Sequence, residues 1–187
     1  MLSIDGRKAF TLMLEDKMML PRYTYIMQTV DKVNVEFDRD FQKAFNGFYN
    51  VRLPDTSYYK GFYRVFQQSK ANRDNLTYGM ILDELYPITG RVEASFASKI
   101  LATLNANKPI WDSRVLKYLH DELSGRSDEE KLNSAKALYS RVEKLYDEYM
   151  KTEEARENVA IFDDLFPDYA WISNVKKIDY MMWGLGK

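Results

Sequence analysis

Residues 127–149 constrain the fold more than any other stretch. Ser127 stands three residues before Glu130, the spacing of a capping box in which each side chain bonds the other residue's backbone amide. Leu132, Ala135, Tyr139, Val142, Tyr146 and Tyr149 then recur at intervals of three and four, which places all six on one helix face. The predicted helix runs to about Thr152, roughly three heptads, too short for an independent coiled coil. Its apolar face therefore has to be covered by the rest of a domain.

The same interval recurs along the chain. Ser3 is placed to cap a first helix with Phe10, Met13, Leu14 and Met18 inward, ended by Pro21. Residues 22–33 carry Tyr23, Ile26, Met27 and Val30 on one side, and 37–49 carry Phe37, Phe41, Phe45 and Phe48, closing near Asn46-Gly47. Thr56 or Ser57 caps a helix bearing Tyr58, Phe62, Tyr63 and Phe66, and Asp74 or Asn75 opens one through Ile81, Leu82 and Leu85 that stops at Pro87. Ala97, Ile100, Leu101 and Leu104 share a face, which leaves Lys99 off it and in solvent. Asp112 is an N-cap for the next helix, whose surface carries His120 and which Gly125 ends. After a short helix through Val159, Ile161, Phe162 and Leu165, residues 168–183 turn Trp171, Ile172, Val175, Ile178, Met182 and Trp183 inward. No segment alternates with period two. The expected fold is all-α, a single globular multi-helix domain over 1–187.

Composition narrows the chemistry. With no cysteine and one histidine among 187 residues, disulfides, thiolate metal sites and multi-histidine sites are excluded, so no metal and no cofactor is expected. Glu15, Asp16 and Lys17 interrupt the apolar start, which argues against a secretory signal, and no window supplies the roughly 20 apolar residues of a membrane span. The expected location is cytoplasmic, with no membrane partner. Nucleotide-binding glycine loops, HExxH, GxSxG and EF-hand patterns are all absent.

Charge is unevenly placed although the net is only −1. Residues 39–73 hold seven basic side chains against two acidic ones, interleaved with nine aromatics between Phe41 and Phe66. Such interleaving is what base stacking combined with phosphate neutralisation requires. At helical spacing, however, Phe37, Phe41, Phe45 and Phe48 read first as a core stripe. Residues 127–168 lean the other way, with six basic and twelve acidic side chains.

One stretch carries a family resemblance. Thr89-Gly90-Arg91-Val92, the apolar run 94–105, the loop Asn-Ala-Asn-Lys-Pro-Ile-Trp and then Asp112 follow the order seen in helix-hairpin-helix DNA glycosylases, and the segment resembles the group related to 8-oxoguanine DNA glycosylase. In that family a hairpin holds the DNA backbone, the target base is flipped out of the stack, and an aspartate assists its departure. The resemblance implies a partner in double-stranded DNA, with Asp112 as catalytic carboxylate. Gly90 and Arg91 would contact the backbone, and Lys99 and Arg114 would neutralise phosphate. Val92 stands where the family has a second glycine, and Ala94 where bifunctional members carry a lysine nucleophile, so the implied enzyme is monofunctional. The competing reading is a non-catalytic helical interaction module of unknown partner, binding a protein or only nucleic acid, in which Asp112 serves only as a cap.

Overall fold

A computed structural model describes residues 2–14, 18–52 and 55–186, with the backbone alone at 12–14. Met13 and Leu14, expected on an inward face, and the loop at Leu53-Pro54 lie outside the described side chains or residues. Ten α-helices make up the described structure, with no strand among the described residues: α1 (Gly6–Leu14), α2 (Met19–Thr29), α3 (Arg39–Tyr49), α4 (Thr56–Ala71), α5 (Tyr78–Thr89), α6 (Ala94–Leu104), α7 (Ser113–Leu119), α8 (Asp128–Tyr149), α9 (Glu153–Leu165) and α10 (Asn174–Leu185). The all-α expectation holds. No described helix is long and apolar enough to cross a membrane.

The helix α8 begins with the expected capping box: the Ser127 hydroxyl accepts the Glu130 amide, and the Glu130 carboxylate accepts the Ser127 amide. Its two halves serve two different apolar clusters. Ala135, Leu138 and Tyr139 join Phe41 and Phe45 of α3, Phe62, Tyr63 and Phe66 of α4, and the inner faces of α5 and α6. Val142, Tyr146 and Tyr149 join α1, the start of α2, Phe162 of α9 and the inner face of α10. Phe48 packs against both clusters. The helix is thus a shared wall, and the space between the clusters opens on its far side as a cleft.

Several boundaries move, each for a local reason. Pro21 falls in the first turn of α2, where backbone amides have no intrahelical acceptor, so it does not end α1. Asn50, left-handed at φ 52°, caps α3 beyond Gly47. Asp55, not Thr56 or Ser57, caps α4 by accepting the Ser57 and Tyr58 amides at 2.8 and 2.9 Å. Residues 73–75 form a single 3-10 turn, which hands the α5 cap to Thr77. That helix continues through Pro87 to Thr89, because Thr89 Oγ1 donates to the Leu85 carbonyl and the Gly90 amide bonds the Tyr86 carbonyl at 2.8 Å. His120, left-handed at φ 54°, ends α7 ahead of Gly125 and is exposed.

Four large apolar groups expected inside face water instead: Phe37, Met18, Leu165 and Trp171. Phe37 precedes the Asp38 cap of α3, so the helical spacing does not extend to it. Trp171 lies ahead of α10 in a turn, stacked on the Tyr23 ring at 6.1 Å.

The segment before α1 is held by one carboxylate. Glu154 accepts the Ile4 amide at 2.5 Å, the Ser3 hydroxyl at 3.0 Å and the Tyr149 hydroxyl at 3.1 Å. Burial pushes its pKa up, but these three donors together outweigh that and leave it below the ordinary 4.5. A carboxyl whose folded pKa is depressed contributes stability that is present above its unfolded pKa and is lost as pH falls through the folded one. Wild type should therefore melt above Glu154→Gln at pH 6 to 7, and the gap should close as pH drops below about 4.5, read by thermal denaturation across pH.

Candidate functional site

A cleft of about 540 Å³ opens where the two clusters meet, within the size range of small-ligand sites. Its walls come from Met19 and Arg22 of α2, Phe48 and Tyr49 of α3, Ser95 and Lys99 of α6, Asp112 with the start of α7, and Lys176, Asp179, Tyr180 and Trp183 of α10. Of the residues singled out by sequence, Asp112, Lys99 and Arg114 are brought together here. Gly90 and Arg91 are exposed on the connection between α5 and α6, outside the lining of this cleft. Gly90 is left-handed at φ 63° with open space around it, the conformation that the turn requires.

Asp112 caps α7 as expected. Its Oδ1 accepts the Arg114 amide at 3.0 Å and the Val115 amide at 3.1 Å. Both bonds go to the same oxygen, so Oδ2 accepts none among the described residues and is available to the cleft.

Lys99 corrects the sequence reading. It is 6% exposed, because α6 is enclosed on every side from Ala97 to Leu104 and has no solvent face there. Its ammonium sits 5.6 Å from the centre of the Phe96 ring. Burial lowers its pKa, opposed by the negative fields of Asp112 and Glu93.

The deeper part of the cleft comes from α10. Lys176 and Asp179, one turn apart, are 5% and 3% exposed, with Nζ 3.8 Å from Oδ2. Four aromatic rings surround the ammonium, those of Tyr23, Phe48, Tyr49 and Tyr180, at 4.8 to 5.4 Å. Desolvation lowers Lys176 to about 8, against the pull of Asp179 and Asp112, and the positive charge of Lys99 lowers it further. Desolvation raises Asp179 to about 6, although Lys176, the Tyr146 hydroxyl and the Ile110 amide all favour its charged form. An apolar helical stripe over residues 168–183 does not contain these charged residues, so periodicity does not single them out. The available signal was two charges spaced by three inside a run of large apolar groups.

The loop that delivers Asp112 is pinned from three helices. Asp179 accepts the Ile110 amide at 3.2 Å with both oxygens and the Tyr146 hydroxyl at 2.5 Å. Ser98 accepts the Trp111 amide at 3.0 Å, and Tyr139 donates to the Pro109 carbonyl at 2.9 Å. The Arg114 guanidinium lies 3.9 Å over the Trp183 ring, a cation-π contact between α7 and α10. A Cβ on Gly186 would come within 2.3 Å of the Arg114 carbonyl, so the end of α10 needs glycine to close against α7.

The aromatic and basic stretch 39–73 is mostly spent on the fold. Seven of its nine aromatics are buried, Tyr59 and Phe48 being the partly exposed ones. Arg64 pairs with Glu36, Arg73 with Asp31, and Lys70 donates to the Val33 carbonyl. The core-stripe reading is the one that stands. No cluster of three metal-ligating side chains occurs among the described residues.

Compared with known protein families, curated proteins and solved structures, the chain matches none. The chemistry of the cleft is therefore the basis on which its function has to be read.

Two outcomes follow from this geometry. Asp179→Ala should cost about 3–5 kcal/mol in chemical denaturation, because it leaves the Lys176 charge buried alone, and adding Lys176→Met should recover much of that loss. Gly186→Ala should destabilise by about 1–3 kcal/mol through the clash with the α7 backbone, measured the same way.

Proposed function

We propose that the protein binds double-stranded DNA and receives one nucleotide in the cleft, where Asp112 assists release of its base. The observation that carries this reading is the uncommitted Oδ2 of Asp112 in a cleft that also holds Lys99, Arg114 and Lys176. Breaking the bond between the sugar C1′ and the base leaves positive charge on the sugar, and a fixed carboxylate lowers the energy of that state. Four cations, Arg22, Lys99, Arg114 and Lys176, stand against the carboxylates of Asp112 and Asp179, giving the positive balance that a nucleotide's phosphates call for. The pair α5 and α6, joined through residues 90–93, has the helix–turn–helix form that the resemblance implies for backbone contact, with Gly90 and Arg91 exposed at the turn.

A second reading has its own support. The two amide bonds to Oδ1 explain an aspartate at position 112 with no chemistry at all, as in a non-catalytic module whose partner is a protein.

Asp112→Asn separates the two. Asparagine still caps the helix, so the melting temperature should move little, by less than about 1 kcal/mol in stability. Under the catalytic reading, base release from a panel of damaged duplexes should fall at least about a hundredfold. Duplex carrying an abasic-site analogue should also bind more tightly than undamaged duplex, with affinity falling steeply as salt rises. No base release from any duplex, together with salt-independent binding or none, would move the assignment to the protein-binding module.

A further inference from the structure

We propose that the inner end of the cleft is a phosphate-binding site formed by Lys99, Arg114, Lys176 and Tyr180. Buried polar groups in folded proteins are nearly always hydrogen-bonded, and a cleft in which several are not has been built for something else to bond them. Tyr180 is 3% exposed, yet its hydroxyl bonds nothing, and Arg114 Nη1 is likewise buried without a partner. The ammonium groups of Lys99 and Lys176 donate no hydrogen bond to any described residue, and the nearest carboxylate oxygen to Lys176 lies at 3.8 Å, beyond bonding range. Aromatic rings stand beside both, Phe96 by Lys99 and Tyr23, Phe48, Tyr49 and Tyr180 by Lys176. The side chains of Lys99, Arg114, Lys176 and Tyr180, on α6, α7 and α10, all contribute to the lining of one cleft.

Charge selects the occupant. Lys99 and Lys176 repel each other, and the carboxylates that could offset them are partly committed, Asp179 to Ile110 and Tyr146, Asp112 Oδ1 to the α7 amides, and Glu93, outside the lining, to the Tyr58 hydroxyl. With four cations against two carboxylates, the lining is short of two negative charges. A phosphate monoester at neutral pH carries about −1.5 to −2 and three strong acceptor oxygens, which matches the missing charge and lets several of the idle donors bond one group. A carboxylate would supply one charge and leave donors unpaired. A metal cation would meet the wrong field.

This site goes beyond the DNA reading and does not need it. If a flipped nucleotide enters, its phosphate is one source of the group, and a free mononucleotide or inorganic phosphate is another. The full chain would be titrated by calorimetry, at matched ionic strength, with inorganic phosphate, with deoxyadenosine 5′-monophosphate and with deoxyadenosine. We expect saturable binding of at least one phosphate-bearing probe and none of deoxyadenosine. Binding of inorganic phosphate alone would identify a site that reads the group itself, and binding of the mononucleotide only would identify one that reads the group within a nucleotide. Tyr180→Phe deletes a hydroxyl that bonds nothing in the protein, so the fold should be untouched while affinity falls roughly tenfold. Lys176→Met, checked for folding by its melting curve, should lower affinity by about tenfold or more. Absence of binding by both phosphate probes, or unchanged affinity in both variants, would overturn the site. Loss of every DNA activity would leave it standing.

Discussion

Asp179 is the group on which the arrangement of the cleft depends. Its carboxylate, almost wholly removed from water, holds the Ile110 amide, the Tyr146 hydroxyl and the field of Lys176 at once. Those three partners belong to the loop before α7, to α8 and to α10, so one side chain ties the wall shared by both apolar clusters to the segment that presents Asp112. Burying a carboxylate and an ammonium costs several kcal/mol per ion before their attraction is counted. An arrangement this costly is worth little as a staple, since apolar groups of similar size would pack as well. What it leaves in the cleft is a buried ammonium that donates to no described residue.

The two clusters explain why there is a cleft at all. The helix α8 is long enough to serve one cluster with its first half and another with its second. The cleft lies where residues of both clusters meet, and large rings are part of its lining. Phe48 packs on both clusters, and Tyr23, Tyr49 and Tyr180 surround the Lys176 ammonium beneath it. The aromatics of residues 39–73, whose interleaving with basic residues is also what base stacking requires, chiefly fill the first cluster, with Phe48 and Tyr49 reaching this junction.

What could be read in advance divides along physical lines. The capping box at Ser127, the Asp112 cap and the face of α8 depend on residues within a few positions of one another, so spacing alone revealed them. Helix ends were harder, because a cap is chosen by competition among neighbouring polar groups: Asp55 prevailed over Thr56 and Ser57, and Thr77 over Asp74. Part of the candidate site was legible, since Asp112, Lys99 and Arg114 were named from sequence and line one cleft. Lys176, Asp179 and Tyr180 were not, because two charges spaced by three among apolar groups mark a shared face but not that other elements will cover it.

The sequence by itself determined that the chain is helical and where most helices lie, since helical periodicity and capping are local and need only the adjoining residues. It could not determine which helices are enclosed on all sides. Periodicity assigns one apolar stripe to each helix, whereas α6 is buried all round between Ala97 and Leu104, and α10 without a break from Lys176 to Met182. Only tertiary packing brought partners to the polar sides of those helices. That packing put Lys99, expected in solvent, together with Lys176 and Asp179 into the lining of a cleft, because desolvation depends on everything that surrounds a side chain and not on its neighbours in sequence.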